Sequence, residues 1–162
     1  MEVRAATRSD VAALAQLHAA TVTVAYAGIF PADSTAPTPA ELEPDYRQLF
    51  ELGDHLWVVD HDDSLVGSIA LVADSAVPAG CRIERFNVHP NHQSSGLGSS
   101  LYRQALRAAG NAGWSSLNLW VLEENERARA IYEAWGWTLV PGRTLANDPP
   151  EVLDVLYELR LA

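Results

Sequence analysis

The chain has 162 residues, about one domain's length, and a chain of that size buries enough surface for a core without staples. Hydrophobic residues make up 48% and charged residues 20%, an ordinary globular composition, and a single cysteine, Cys81, excludes a disulfide framework or a multi-cysteine metal knuckle. The net charge of -10 repels a phosphate backbone and argues against nucleic-acid partners.

Taken in chain order, Val3 to Ala6 reads as a first strand. Thr7 and Asp10 form a T-x-x-D start signal, after which Val11, Leu14, Leu17 and His18 recur at helical spacing. A second helix follows a Pro-rich loop: Thr38 caps, Pro39 takes the first turn, and Glu41 completes the capping box. Leu42, Tyr46, Leu49 and Phe50 make its apolar stripe. His55 to Asp60 and Leu65 to Ala73 read as a hairpin turning at His61–Ser64. Val77 to Gly80 is a turn, and Cys81 to Val88 continues the meander. Ser94 to Ala109 then has helical periodicity, with Gly110 and Gly113 as stops. Ser115 to Leu122 is strand-like, and Asn125 to Trp135 is helical with Gly136 at its stop. Trp137 to Val140 and Val152 to Leu161 are two last strands around Pro149-Pro150. This order predicts an α+β fold, with residues 1–162 forming one domain.

Charge is unevenly spread. Residues 1–80 hold twelve acids against three arginines, whereas residues 81–110 hold Glu84 against Arg82, Arg85, Arg103 and Arg107. A basic segment in an acidic chain suggests a small anionic ligand there; the alternative is that acidity only serves solubility. All basic residues are arginine, and the absence of lysine removes Schiff-base chemistry and side-chain self-acetylation. Apolar runs such as Ile69 to Ala73 are too short to span a membrane, and Met1-Glu2-Val3-Arg4 starts like a strand, so the expected location is cytoplasmic.

The chemically informative stretch runs from Phe86 to Leu101. A strand ends at Val88, and a helix starts in a run containing Gly96 and Gly98. Free N–H groups at a helix start, with glycines that allow close approach, bind phosphate or pyrophosphate. A dinucleotide fingerprint fails because Leu101 stands where the third glycine belongs, and a P-loop fails for want of lysine. On the glycines alone, close helix–strand packing is the competing explanation.

The wider run Val88-x-Pro90-x-x-Gln93-x-x-Gly96-x-Gly98 resembles the acetyl-CoA motif of the Gcn5-related N-acetyltransferases (GNAT family). Asn125-x-x-Ala128-x-x-x-Tyr132-x-x-x-Gly136-Trp137 is similar to that family's second block. Arg4-x-Ala6-x-x-x-Asp10, Tyr26-x-Gly28-x-x-Pro31 and Leu65-Val66-Gly67 extend the resemblance over residues 2–160.

The resemblance implies a mixed, mostly antiparallel six- to seven-stranded sheet flanked by about four helices and splayed between strands 4 and 5. It implies acetyl-CoA as acyl donor, with pyrophosphate on the backbone amides of Gln93, Ser94, Ser95, Gly96, Leu97, Gly98 and Ser99. The acetyl carbonyl and pantetheine would bond the fourth strand at Phe86, Asn87 and Val88, and Asn125 would contact the cofactor; as a plain alternative, Asn125 is a helix cap. An amine would attack the thioester directly. Tyr132 matches the tyrosine that protonates the leaving thiolate; its alternative is a core tyrosine. The usual glutamate base is Arg82 here, a departure. Glu84 shares that strand face and substitutes as base, or else pairs with Arg82 or Arg103 while a water chain serves. Cys81 reads as inert packing, His61-Asp62-Asp63 as a turn, and His89 with His92 as loop, so no metal is expected.

The acceptor side would be Tyr26 to Phe50 and Gly142 to Pro150. Eight acids and one arginine in residues 39–63 would steer a cationic amine of a small molecule or peptide. A homodimer is a further expectation drawn from the family, with no membrane partner. The rival readings are a non-catalytic acyl-CoA sensor and an interaction module on the same scaffold.

Overall fold

The structure is a computed structural model that describes residues 1–53, 55–77 and 79–162; Pro78, within the expected turn Val77–Gly80, lies outside them. The elements are β1 (Val3–Ala5), α1 (Val11–Ala25), α2 (Pro39–Leu52), β2 (His55–His61), β3 (Ser64–Asp74), β4 (Gly80–Val88), α3 (Leu97–Asn111), β5 (Ser116–Leu122), α4 (Glu126–Ala134), β6 (Thr138–Ala146) and β7 (Leu153–Arg160). One-turn helices at Arg8–Asp10 and Pro90–His92 precede α1 and α3. The strands form one seven-stranded sheet in the order β1-β2-β3-β4-β5-β7-β6, parallel only between β4 and β5. This is the mixed, mostly antiparallel sheet with four helices that the resemblance implied. No helix among the described residues is long and apolar enough to cross a membrane.

Local chemistry explains the element ends. At α2 the Glu41 N–H donates to Thr38 Oγ1 at 3.4 Å, and Thr38 N–H returns a bond to Glu41 Oε2 at 2.8 Å, so the expected capping box forms. Asn125 Oδ1 accepts from the Ala128 N–H at 3.2 Å and caps α4. α3 begins three residues later than its periodicity suggests. Ser94 has φ 63° and Gly96 φ 83°, left-handed values that no helix interior tolerates. β6 is longer than expected because it runs through Pro141-Gly142, with the register shift lying between Leu139 and Thr144. An edge strand accepts such a proline since one row of its backbone needs no partner.

The sheet separates two cores. On one face α1 and α2 bring Leu14, Leu17, Leu42 and Tyr46 against Val58 and Ala70. On the other, α3 and the last strands gather Leu97, Leu101, Ile69, Ile83, Leu117 and Tyr157. Burying one such leucine contributes roughly 1.5–3 kcal/mol. Gly67 of β3 lets α3 approach: a Cβ there would lie 2.4 Å from Leu97 Cδ2 and 2.8 Å from Leu101 Cδ1. Cys81 is fully buried and its thiol is pushed up to about 12 by burial, which makes it packing.

β4 and β5 pair only from Gly80–Arg82 to Ser116–Asn118. Beyond that they diverge, so the facing backbone edges of Ile83–Val88 and Leu119–Leu122 lack strand partners. β4 also carries a bulge: Ala70 faces Glu84 and Ser68 faces Asn87, which leaves one extra residue on β4. Arg85 in the bulge has φ 51°.

Candidate functional site

The splay opens into a cleft of about 1030 Å³, at the upper end of the roughly 300–1,000 Å³ of small-molecule sites. The β4–α3 loop and the start of α3 line it on one side and α1 on the other, and β4, β5, Asp154 of β7 and α4 contribute the remaining lining.

On the α3 side the working material is backbone. Ser100 N–H is the first to close a helical bond, to Gly96 C=O at 3.1 Å. The N–H groups of Gly96 to Ser99 therefore stand outside the helical ladder, at the positive end of the dipole. Gly98 has no packing need to be glycine, since a Cβ there would meet Val88 and Phe86 at ordinary distances of 3.6 and 3.7 Å. Its bareness instead leaves the cleft side of the first turn open, which answers the packing alternative for this glycine. Gln93, Ser94, Gly96, Gly98 and Ser99 line the cleft. Two expected loop residues differ: the Leu97 side chain is in the core, and Ser95 Oγ is tied to His92 C=O at 2.6 Å. Only their backbones are available.

A residue missed in the sequence completes this side. Arg127, in the first turn of α4, reaches across the opening and donates to Gln93 Oε1 at 2.8 Å and Ser94 Oγ at 3.3 Å. Its place between Asn125 and Ala128 was the available signal. The basic segment contributes less than its charge suggested. Arg82 donates to Asn118 Oδ1 at 2.9 Å and Asp74 Oδ2 at 3.1 Å, while Arg103 and Arg107 bond their own helix at Ser100 and Gln104.

Tyr132 lines the cleft from α4. Its ring lies 6.0 Å from Trp137 and 6.2 Å from Trp135, both edge-on. Trp135 stacks on Tyr102 at 4.2 Å and Trp137 Nε1 donates to Tyr102 Oη at 2.9 Å, so α3 holds the platform under Tyr132. No described side chain hydrogen-bonds the Tyr132 hydroxyl, and burial pushes its phenol well above the ordinary value, with Tyr102 adding to it. The group stays protonated. Phe86, Asn87, Val88 and Asn125 also line the cleft, although the Asn87 side chain turns toward Tyr46 and Ser68.

On the α1 side the material is side chains. His18 Nδ1 lies 3.1 Å from Tyr46 Oη. Asn87 Nδ2 donates to Ser68 Oγ at 3.3 Å and Tyr46 Oη at 3.5 Å, and Ser68 Oγ donates to Arg85 C=O at 2.8 Å. With the imidazole proton on Nε2, the Tyr46 hydroxyl donates to His18 Nδ1. Burial, then the nearby Arg85 charge, push His18 down to about 4, so it is neutral at pH 7. Glu84 Oε1 lies 3.8 Å from Arg82 Nη1, one of the two pairings foreseen for it. Arg85 makes a single 3.5 Å contact to Asp45 and covers the Tyr46 ring at 5.6 Å. Asp154 of β7 and Tyr26 complete this wall. Of the span 26–50 only Tyr26 lines the cleft, and its carboxylates are Glu84 and Asp154 rather than the acids of α2. No group of three or more metal-ligating side chains occurs among the described residues.

A loop of free amides at a helix start and a protonated tyrosine line one cleft in a splayed mixed sheet, as the resemblance to the acetyl-CoA-dependent N-acetyltransferases implied. The model of the Acetyltransferase (GNAT) family matches residues 23–137, and the chain belongs to that family. Among its relatives is a probable N-acetyltransferase of Mycobacterium tuberculosis, 26% identical over 159 residues that cover 96% of this chain and 89% of that protein. The fold matches an N-acetyltransferase of Staphylococcus aureus Mu50 with TM-score 0.77 and 17% identity, covering 99% of this chain and 98% of that one. It also matches the PaiA N-acetyltransferase of Thermoplasma acidophilum in complex with coenzyme A, with TM-score 0.74 and 18% identity over 99% and 98% of the two chains.

Proposed function

We propose that this chain, working as one domain, transfers the acetyl group of acetyl-CoA directly to the primary amine of a small molecule or peptide. The observation that carries the reading is the meeting, in one cleft, of the free N–H groups of Gly96–Ser99 with the unpartnered Tyr132 hydroxyl. The loop amides and Arg127 bind the pyrophosphate. The unpaired edge of β4 from Ile83 to Val88 offers backbone donors to the pantetheine arm and to the oxygen that gains charge during attack.

Tyr132 acts on the leaving sulfur. Full transfer from a phenol above its ordinary value to a thiolate whose conjugate acid has a pKa of roughly 8.5 runs uphill. Donation of a hydrogen bond that strengthens as the C–S bond breaks does not require it. Glu84 takes the amine proton, directly or through water; its distance from Arg82 leaves one oxygen available. The same Arg82 contact favours a second reading, an acyl-CoA sensor without turnover.

Thermal unfolding with acetyl-CoA and thiol release against amines separate the two. Stabilisation with turnover that Tyr132→Phe removes supports the transferase. Stabilisation with no thiol release from any amine supports the sensor. No stabilisation means that the loop is scaffold and both readings fail.

A further inference from the structure

We infer that the acceptor is a zwitterion, a free α-amino acid whose ammonium group is taken by Asp154 and Glu84 and whose carboxylate is taken by Arg85 and His18. This rests on the transferase reading and names its substrate class.

The α1 side of the cleft carries charges that the protein leaves incompletely matched. Asp154 has no cationic partner among the described residues, and burial holds its carboxyl above the ordinary value against the lowering effect of Asn147. A half-buried carboxylate without a counter-ion is costly until a cation arrives. Glu84, the other acid of this wall, keeps only the 3.8 Å approach of Arg82.

Arg85 is the opposite case. Its Nε is buried with no hydrogen-bond partner, and its one ion pair is a 3.5 Å contact to the half-exposed Asp45. The residue stands at φ 51°, a left-handed value that side-chain-bearing residues rarely adopt. The bulge that imposes this conformation also directs the guanidinium over Tyr46 and into the cleft wall. His18 lines the same wall as a neutral imidazole, which donates from Nε2 when Nδ1 accepts from Tyr46. Tyr26, Asp154, Glu84, Arg85 and His18 all line this one cleft, so both signs are offered to a single ligand.

One acceptor matches both signs. A polyamine or aminosugar has nothing for Arg85, and a peptide N-terminus has an amide where the carboxylate would sit. An α-amino acid has both groups on adjacent atoms. Its amine, after losing one proton to Glu84 or water, forms the N–C bond as the C–S bond breaks. The acylated nitrogen then sheds its second proton, which passes through water to the departing thiolate, so the products are an N-acetyl amino acid and the coenzyme A thiol.

The test is thiol release with acetyl-CoA and the common α-amino acids, each offered as free acid, carboxamide and decarboxylated amine. The expected result is a kcat/KM for at least one free acid on the order of tenfold or more above its amide and amine. Arg85→Gln should bring that ratio close to one through KM, and Arg85→Lys should restore part of it. Asp154→Asn should raise KM for the acid more than it lowers kcat. Retained stabilisation by acetyl-CoA shows that each variant is folded. An amide or decarboxylated amine turned over as well as the acid, or a ratio that survives Arg85→Gln, overturns the zwitterion while leaving the transferase standing. No turnover with any of them overturns it too; thiol release from other amines then leaves the transferase reading standing, and an acetyl-CoA shift with no release from any amine removes both.

Discussion

The α3 side and the α1 side of the cleft face each other across the same splay, yet one is made of main chain and the other of side chains. At α3, recognition uses N–H groups that every residue has, and the side chains matter by being small, as at Gly96 and Gly98. At α1, His18, Arg85, Glu84 and Asp154 arrive from three different elements; His18 and Arg85 are held against Tyr46, which Asn87 bonds in turn. The backbone side needs one local conformation. The side-chain side needs several elements to pack correctly before any of its groups is in place.

Breaking either side should therefore look different. The largest effect is expected where they meet: Tyr132→Phe should lower kcat about 100-fold or more while acetyl-CoA still stabilises the fold. Because its phenol is raised above an ordinary tyrosine, Tyr132 should cause no alkaline loss of kcat below about pH 10. A descending limb that disappears in Tyr132→Phe would contradict this.

Acid should act on the α1 side first. His18 is held down at about 4, against an ordinary value of 6.5. As pH falls below about 6.5 the unfolded chain takes a proton that the native imidazole refuses, so stability declines until native His18 also protonates near 4. The loss is about 3 kcal/mol over that window, and His18→Gln should flatten it in urea unfolding.

The α3 side should break through binding and not through folding. Gly98→Ala should weaken acetyl-CoA roughly tenfold, while thermal stability holds or rises, because a Cβ there meets only ordinary contacts. Arg127→Ala should raise the acetyl-CoA KM by roughly three- to tenfold, with the effect shrinking at high salt. The smallest expected effect is steering: for a cationic acceptor, kcat/KM should fall modestly with salt, and a flat response would remove any role for the acids of α2.

The same division explains what was legible beforehand. Thr38-Pro39 with Glu41, the Asn125 cap, and the run Gln93 to Gly98 with Tyr132 are local patterns, and local patterns survive in a string of letters. The start of α3 was misplaced because periodicity records side chains, whereas Ser94 and Gly96 interrupt the helix through φ. β6 was cut short at Pro141 because a proline reads as an end until the strand is known to lie on an edge. Asp154 and Arg85 could not be paired with His18 at all: nothing in their spacing marks that β4, β7 and α1 converge. Arg82 was correctly placed beside Glu84, but its bonds to Asp74 and Asn118 depend on β5 lying alongside β4.

The brief β4–β5 pairing has a mechanical side. Only the stretch from Gly80–Arg82 to Ser116–Asn118 joins the two half-sheets by main-chain ladder, so the molecule resembles two covers on a short spine. A ligand lying between the covers acts as a clasp. Its arrival should slow hydrogen exchange along Ile83–Val88 and Leu119–Leu122 together, including at amides it never touches, because closing the covers damps the opening motion that exposes both.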